Sequence, residues 1–379
     1  MNLVNRAVTG AVSASLGSNK VILIFGTRRV GKTVLMETVL KGFAGSVIKL
    51  NGEDIDTQEL LERRSIANYT KLFGDTDLLV IDEAQAIADV GRKLKLMIDA
   101  LPNLTIIATG SSSFDLLNKT GEPLTGRMLL FHLYPLSQME LLPHEGHVTL
   151  AQNFEERLIY GSYPQLLHLN TYEAKADYLR QLVQSYLLKD ILIIDAVRQP
   201  EKLIRLLRLI AHQVGSEVSA TELGRQLDMS KNTVDSYLDL LSKVFIVFKL
   251  PAYSTNPRKE LSKSVKWYFW DNGIRNALIN NFDVLAARND IGALWENFLI
   301  AERMKRNEYK RLGSDYFFWR TYSQQEIDLI EYSNGKLNAY ELKFKEHKKT
   351  KIPPAFAAAY PDAAFNIINK ENYLNWLTE

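Results

Sequence analysis

Residues 21–33 read Val-Ile-Leu-Ile-Phe-Gly-Thr-Arg-Arg-Val-Gly-Lys-Thr, five apolar residues running without a break into G-x-x-x-x-G-K-[ST]. An uninterrupted apolar run of this length suits a strand buried on both faces, as in a parallel sheet. Gly26 and Gly31 let the backbone turn its N–H groups inward, and Lys32-Thr33 open a helix whose positive end faces the same hollow. The combination reads as a cradle for nucleotide phosphates. Its candidate nucleotide-binding residues are Gly26, Thr27, Arg28, Arg29, Val30, Gly31, Lys32 and Thr33, with Val34 following. The Lys32 ammonium serves the β- and γ-phosphates, and the Thr33 hydroxyl is placed to ligate Mg2+. The alternative is a Gly-containing strand-to-helix turn with no ligand.

A second apolar run, Leu78-Leu79-Val80-Ile81, ends in Asp82-Glu83. Two carboxylates thus emerge at the carboxyl end of a buried strand, where ligands sit in open α/β sheets. Asp82 is the candidate for the Mg2+ shell, commonly through water, and Glu83 for the carboxylate that polarises the attacking water. Taken alone, such a pair reads as a solvated helix start; behind a phosphate loop it reads as catalytic. A third run, Thr105-Ile106-Ile107-Ala108-Thr109, ends in Gly110-Ser111-Ser112-Ser113. Ser111 is a candidate sensor of γ-phosphate or water, and equally an N-cap for a helix around residues 114–117. Arg127 precedes the apolar strand 128–133. It is either a finger aimed at a neighbouring subunit's γ-phosphate or a surface Arg capping a strand start.

In this order the motifs resemble those of an AAA-type ATPase. Gly-Thr-Arg-Arg-Val-Gly-Lys-Thr, Ile-Asp-Glu-Ala-Gln and Tyr-Pro-Leu-Ser-Gln-Met-Glu are similar to a prokaryotic ATPase family that carries a C-terminal domain of unknown function, related to archaeal ATPases of the replication-initiator clade. The resemblance implies an α/β P-loop NTPase core over residues 1–135, a helical lid over 136–200, ATP and Mg2+ as ligands, and a homo-oligomer. One departure stands out: Tyr160-Gly161-Ser162-Tyr163-Pro164-Gln165 resembles the family's Gly-Gly-aromatic-Pro signature but holds no Arg, so a second arginine sensor is not placed.

At 379 residues the chain has room for two to four domains. Its 46 basic and 44 acidic residues nearly cancel, so any nucleic-acid binding must rest on local basic surface. The absence of cysteine excludes disulfides, thiol catalysis and Cys-based zinc sites. The first residues lack a signal-peptide core, and no stretch approaches the roughly 20 apolar residues of a membrane span. The expectation is a soluble, cytoplasmic protein without membrane contact.

Residues 136–200 turn helical, with Tyr178-Leu179, Leu182-Val183 and Tyr186-Leu187 sharing one face. Residues 219–227 and 230–238 read as two short helices capped by Ser219 and Ser230. With strands over 244–250 and 265–270 they resemble a winged helix over residues 201–285. The second helix offers only Lys231 and Asn232 near its start and carries Asp235 and Asp239. Backbone contact with DNA or protein packing is expected there rather than base reading.

Residues 286–379 run helix, strand, strand with Asp, strand with Glu-x-Lys. This order resembles the restriction-endonuclease-like α/β nuclease core. Glu341 and Lys343, two apart on a strand over 337–345, lie on one face. Asp328 and Glu341 are candidate metal ligands, Glu296 could complete the shell, and Lys343 would stabilise developing charge. The alternative is an edge strand whose Lys deters aggregation. The run 343–351 adds a basic patch or a solvated loop. The leading expectation is an ATP-driven machine acting on branched or duplex DNA without strong sequence preference. The other is a nucleotide-switched signalling or defence ATPase whose C-terminal domain recognises a protein partner.

Overall fold

The computed structural model describes residues 3–111, 124–187, 199–254, 264–345 and 351–379. The helix expected around residues 114–117, and positions 346–350 of the basic run, lie outside the described residues. The chain divides into two compact units, residues 1–134 with 243–245 and residues 135–242 with 246–379.

In the first unit, β1 (Val21–Phe25), β2 (Val47–Asn51), β3 (Leu78–Asp82), β4 (Thr105–Gly110) and β5 (Met128–His132) form one parallel sheet in the order β2-β3-β4-β1-β5. Every residue of β1 and β4 is buried, as is β3 up to Asp82. These central strands carry helices or loops on both faces and therefore read as apolar runs. The edge strand β2, Val-Ile-Lys-Leu-Asn, is half exposed and carries no such signal. Because β4 stands between β1 and β3, the residues after β1, at the end of β3 and at the end of β4 share one sheet edge. That edge is where open parallel sheets bind ligands.

The second unit begins with helices Gln138–Gln152, Phe154–Tyr160 and Tyr172–Leu182. Ser137 and Glu140 form a reciprocal capping box at the first helix start, and Gly146, at φ 78°, interrupts that helix. Leu179, Leu182 and Val183 are buried together, on the face expected. Helices Pro200–His212, Ala220–Leu227 and Lys231–Lys243 follow, then β6 (Val247–Pro251) and β7 (Val265–Phe269), paired antiparallel. Glu217, between the first two of these helices, bridges to Lys266 of β7. Ser219 and Ser230 do cap their helices, accepting from the N–H groups of Glu222 (3.3 Å) and Thr233 (3.1 Å). The strand expected from residue 244 starts only at Val247. Phe245 is left-handed (φ 59°) and the Ile246 N–H still donates to Leu241 O (3.1 Å), so the chain is turning out of its helix there.

The chain ends with helix Ile291–Tyr309 and a mixed sheet of β8 (Asp315–Arg320), β9 (Glu326–Ser333), β10 (Lys336–Leu342) and β11 (Ala364–Ile368), in the order β11-β10-β9-β8. β9 and β10 form a hairpin closed by Asn334-Gly335, both at positive φ, the two-residue turn whose twist matches paired strands. Trp319, Ile327, Ile330, Ala339, Phe356 and Tyr360 pack one core beneath it. The strand expected to reach residue 345 stops at Leu342, although the Lys343 N–H still donates to Ile368 O (2.9 Å). Among the described residues no helix is long and apolar enough to cross a membrane.

Candidate functional site

The phosphate loop is shaped by close approach. A Cβ on Gly26 would lie 2.0 Å from Leu133 O, and Gly31 takes φ 98°, so neither position accommodates a larger residue without strain. Arg29 is also left-handed, at φ 66°. Thr27 and Val30 are buried within the loop, whereas Val34 is exposed. Arg28 pairs with Glu53 at 3.3 Å. Lys32 is buried, its ammonium donating to the carbonyls of Gly26 (2.9 Å) and Thr27 (3.1 Å). Arg6, which no motif marks, is buried too. Its guanidinium donates to Val30 O and to Tyr134 O, both at 2.6 Å, and so ties the loop to the chain beyond β5.

Thr33 Oγ1 donates to Asp82 Oδ2 at 2.9 Å. The hydroxyl and carboxylate expected to share Mg2+ thus meet at the sheet edge, and two hard oxygens beside a cradle of amides suit that ion and its phosphates. The other Asp82 oxygen accepts a short hydrogen bond from Thr109 Oγ1, and that hydroxyl accepts from the Glu83 N–H (3.2 Å). Thr109 therefore holds both acidic residues. Its signal in the sequence is only a hydroxyl at the end of an apolar strand. Glu83 itself is left-handed (φ 49°, ψ 44°), a conformation rare for a residue with a side chain and found where structure imposes it. The imposition comes from β2: Gly52 N–H donates to Asp82 O (2.8 Å), and a Cβ on Gly52 would lie 2.3 Å from Glu83 O. Gln85 Nε2 donates to Glu83 Oε2 at 2.5 Å and lies 3.5 Å from Ser111 Oγ. Ser111 is buried at the end of β4.

Arg127 stands at the other end of the sheet. Its carbonyl accepts from the Val21 N–H (2.8 Å) at the start of β1, so the length of a five-residue strand, about 16 Å, separates it from its own phosphate loop. Its side chain pairs with Asp99 at 2.5 Å on the surface.

In the second unit Glu296, Asp328, Glu341 and Lys343 fall in one electrostatic neighbourhood. Burial and the nearby Glu296 charge push the Asp328 carboxyl up to about 7, and burial together with Asp328 raises Glu341. Asp328 Oδ2 accepts from the Leu342 N–H (2.7 Å), and Lys343 Nζ pairs with Glu341 at 2.5 Å. Three participants carry no sequence signal. Buried Lys266, from β7, bridges Glu296 (3.2 Å) and Glu326 (2.5 Å), and the Tyr268 hydroxyl donates to Glu296 (2.5 Å). Among the described residues no three His, Asp or Glu side chains gather as a metal shell.

The Tyr160–Gln165 signature has a structural explanation within this unit. Gly161 lies at φ 75°, and a Cβ there would meet Asp271 Oδ1 at 2.0 Å. The buried Asp271 carboxylate accepts from the N–H groups of Ser162 (2.8 Å) and Ile274 (3.2 Å), which docks this segment onto helix Asn272–Leu278.

Residues 18–142 match the family model of an AAA domain. Residues 151–284 and 291–375 match two domains of unknown function, DUF8612 and DUF4143. An uncharacterized protein of Mycobacterium tuberculosis is 26% identical over 349 residues, 90% of this chain and 74% of that protein. One of Methanocaldococcus jannaschii is 24% identical over 389 residues, 96% of this chain and 84% of that protein. Among solved structures, the Walker-type ATPase of Pyrococcus abyssi superposes with a TM-score of 0.50 at 17% identity, covering 73% of this chain and 96% of that one. Residues 18–142, which hold the phosphate loop and the parallel sheet, are thus similar to AAA domains in sequence and have the fold of a Walker-type ATPase core.

Proposed function

We propose that the chain is a Mg2+-dependent ATPase that works as a homo-oligomer on DNA. The observation that carries the ATPase reading is the Thr33–Asp82 contact beside the Lys32 loop, which joins residues 49 positions apart. Loop amides and Lys32 bind the β- and γ-phosphates, and Thr33 with Asp82 holds Mg2+, which neutralises phosphate charge when bound. Glu83 accepts the proton of the attacking water. We read helices Ala220–Leu227 and Lys231–Lys243, with β6, β7 and the Glu217 bridge, as a winged helix suited to backbone contact with duplex or branched DNA. A restriction-endonuclease-like site for phosphodiester cleavage would draw on Asp328 and Glu341, with Lys343 beside Glu341, although these carboxylates and Glu296 do not gather as a metal shell among the described residues.

A second reading makes the C-terminal domain a recognition module for a protein partner. It is favoured by the internal cations, since Lys266 engages Glu296 and Glu326 while Lys343 engages Glu341. ATP turnover measured with single-stranded, duplex and four-way DNA separates the two. Stimulation by DNA is expected, together with metal-dependent cutting abolished by Lys343→Ala. Turnover indifferent to all three DNAs would favour the recognition module. Glu83→Gln is expected to bind ATP yet turn over roughly 10²-fold more slowly, because it keeps the shape and removes the base. Unchanged turnover in that variant would refute the ATPase assignment of Glu83.

A further inference from the structure

We propose that Gln85 is a second water-orienting residue, acting with Glu83 on the hydrolytic water. The proposal rests on Glu83 being the base of the ATPase. Gln85 lies in the short 3-10 turn Ala84–Ala86 directly after Glu83. Its Nε2 donates to Glu83 Oε2 at 2.5 Å. An ionised carboxylate only accepts, so the amide must present its NH2 group to Glu83 and turn its oxygen elsewhere. That oxygen, Oε1, is buried and has no hydrogen-bond partner among the described residues. A buried amide acceptor without a donor is costly, and native structures keep such groups where something else supplies the donor. The same amide nitrogen lies 3.5 Å from Ser111 Oγ, at the end of the strand next to the phosphate loop's own strand.

On nucleotide binding, the hydrolytic water donates one hydrogen to the Glu83 carboxylate and, once a turn of the side chain bares Oε1, the other to Gln85. Two donated hydrogens fix the orientation of its lone pairs, which a single carboxylate leaves free to rotate. In the hydrolytic step the water oxygen bonds to the γ-phosphorus. The bond from that phosphorus to the bridging oxygen breaks, its electron pair leaves with ADP, and the water proton passes to Glu83. Gln85 changes no bond and no charge. It orients the nucleophile and, through Nε2, holds the base in line. The left-handed backbone of Glu83 acquires a use on this reading, since it starts the turn that brings residues 83 and 85 side by side.

The test is a double-mutant cycle on the full-length chain, reading kcat and the dissociation constant for ATP separately. Gln85→Ala, and Gln85→Met, which keeps the length but can neither donate to Glu83 nor accept strongly from water, are expected to lower kcat by roughly 10-fold or more while ATP binding stays within about 2-fold. Adding Gln85→Ala to Glu83→Gln is expected to slow that variant no further, because groups acting as a unit are not additive. Wild-type kcat in both Gln85 variants overturns the proposal. So does a loss that appears equally in ATP affinity, or a double variant slowed by the product of the single effects. Should Gln85→Ala fail to fold, Gln85→Met preserves the bulk without adding charge and carries the test. If Glu83→Gln itself turns over normally, the base assignment falls; if it is slow while the Gln85 variants are fast, only the role of Gln85 falls.

Discussion

Arg6 shows how one side chain can govern a loop it does not belong to. Its two acceptors, Val30 O in the phosphate loop and Tyr134 O past β5, lie 24 and 128 positions away. A planar fork holds two carbonyls in fixed directions, which the freely rotating ammonium of a lysine does not. Arg6→Ala is therefore expected to weaken ATP binding by about 10-fold, from the loss of hydrogen bonds made by a charged donor, with kcat little changed. Arg6→Lys should fall between. Titration with a fluorescent ATP analogue reads this directly, and equal affinity in all three proteins would show that the loop holds its shape without the bridge. Lys32, Gly26 and Gly31 were legible in the sequence because their spacing is local. Arg6 was not, because nothing near it in the chain specifies its acceptors.

Among elements, β7 is the one whose role the sequence did not disclose. It was expected as half of a wing, yet it also places Lys266 and Tyr268 against Glu296 of helix Ile291–Tyr309. Lys266 is 3% exposed, and its ammonium compensates two partly buried carboxylates. Removing one member of such a group leaves buried charge unpaired, at a cost of about 3–5 kcal/mol. Lys266→Met should destabilise the fold by about that amount in chemical denaturation. Combining it with Glu296→Gln should recover part of the loss, since one of the stranded charges is then gone. An additive double variant would mean that the two residues do not interact. The β9–β10 hairpin, in contrast, closes on Asn334-Gly335, a turn whose geometry depends on its own two residues.

At the scale of the whole molecule, the proposed homo-oligomer can be tested through Arg127. This residue stands at the amino edge of β1 and β5, the length of the sheet away from its own phosphate loop, and engages Asp99 on the surface. A homo-oligomer that brings this edge to a neighbour's nucleotide would give it work as a finger. Arg127→Ala is then expected to bind ATP normally and hydrolyse it slowly. Mixing it with Lys32→Ala should restore part of the turnover, because mixed interfaces pair an intact loop with an intact finger. Mixed oligomers, verified as such, that stay inactive would leave Arg127 a surface residue.

Apolar runs, glycine spacing and the placement of Asp82-Glu83 were readable from the chain because each depends on neighbours within a few positions. They sufficed for the parallel core, the phosphate loop and the candidate base. The Thr109 bridge, the Arg6 fork and the Lys266 bridge are contacts between segments far apart in the chain, brought together only by the packed structure. The order β2-β3-β4-β1-β5 puts β4 between β1 and β3, and so sets Thr109 against Asp82 across 27 positions. Leaving a buried polar group without its partner is costly, and which distant residues share that burial is decided by the packed structure, not by the local chain.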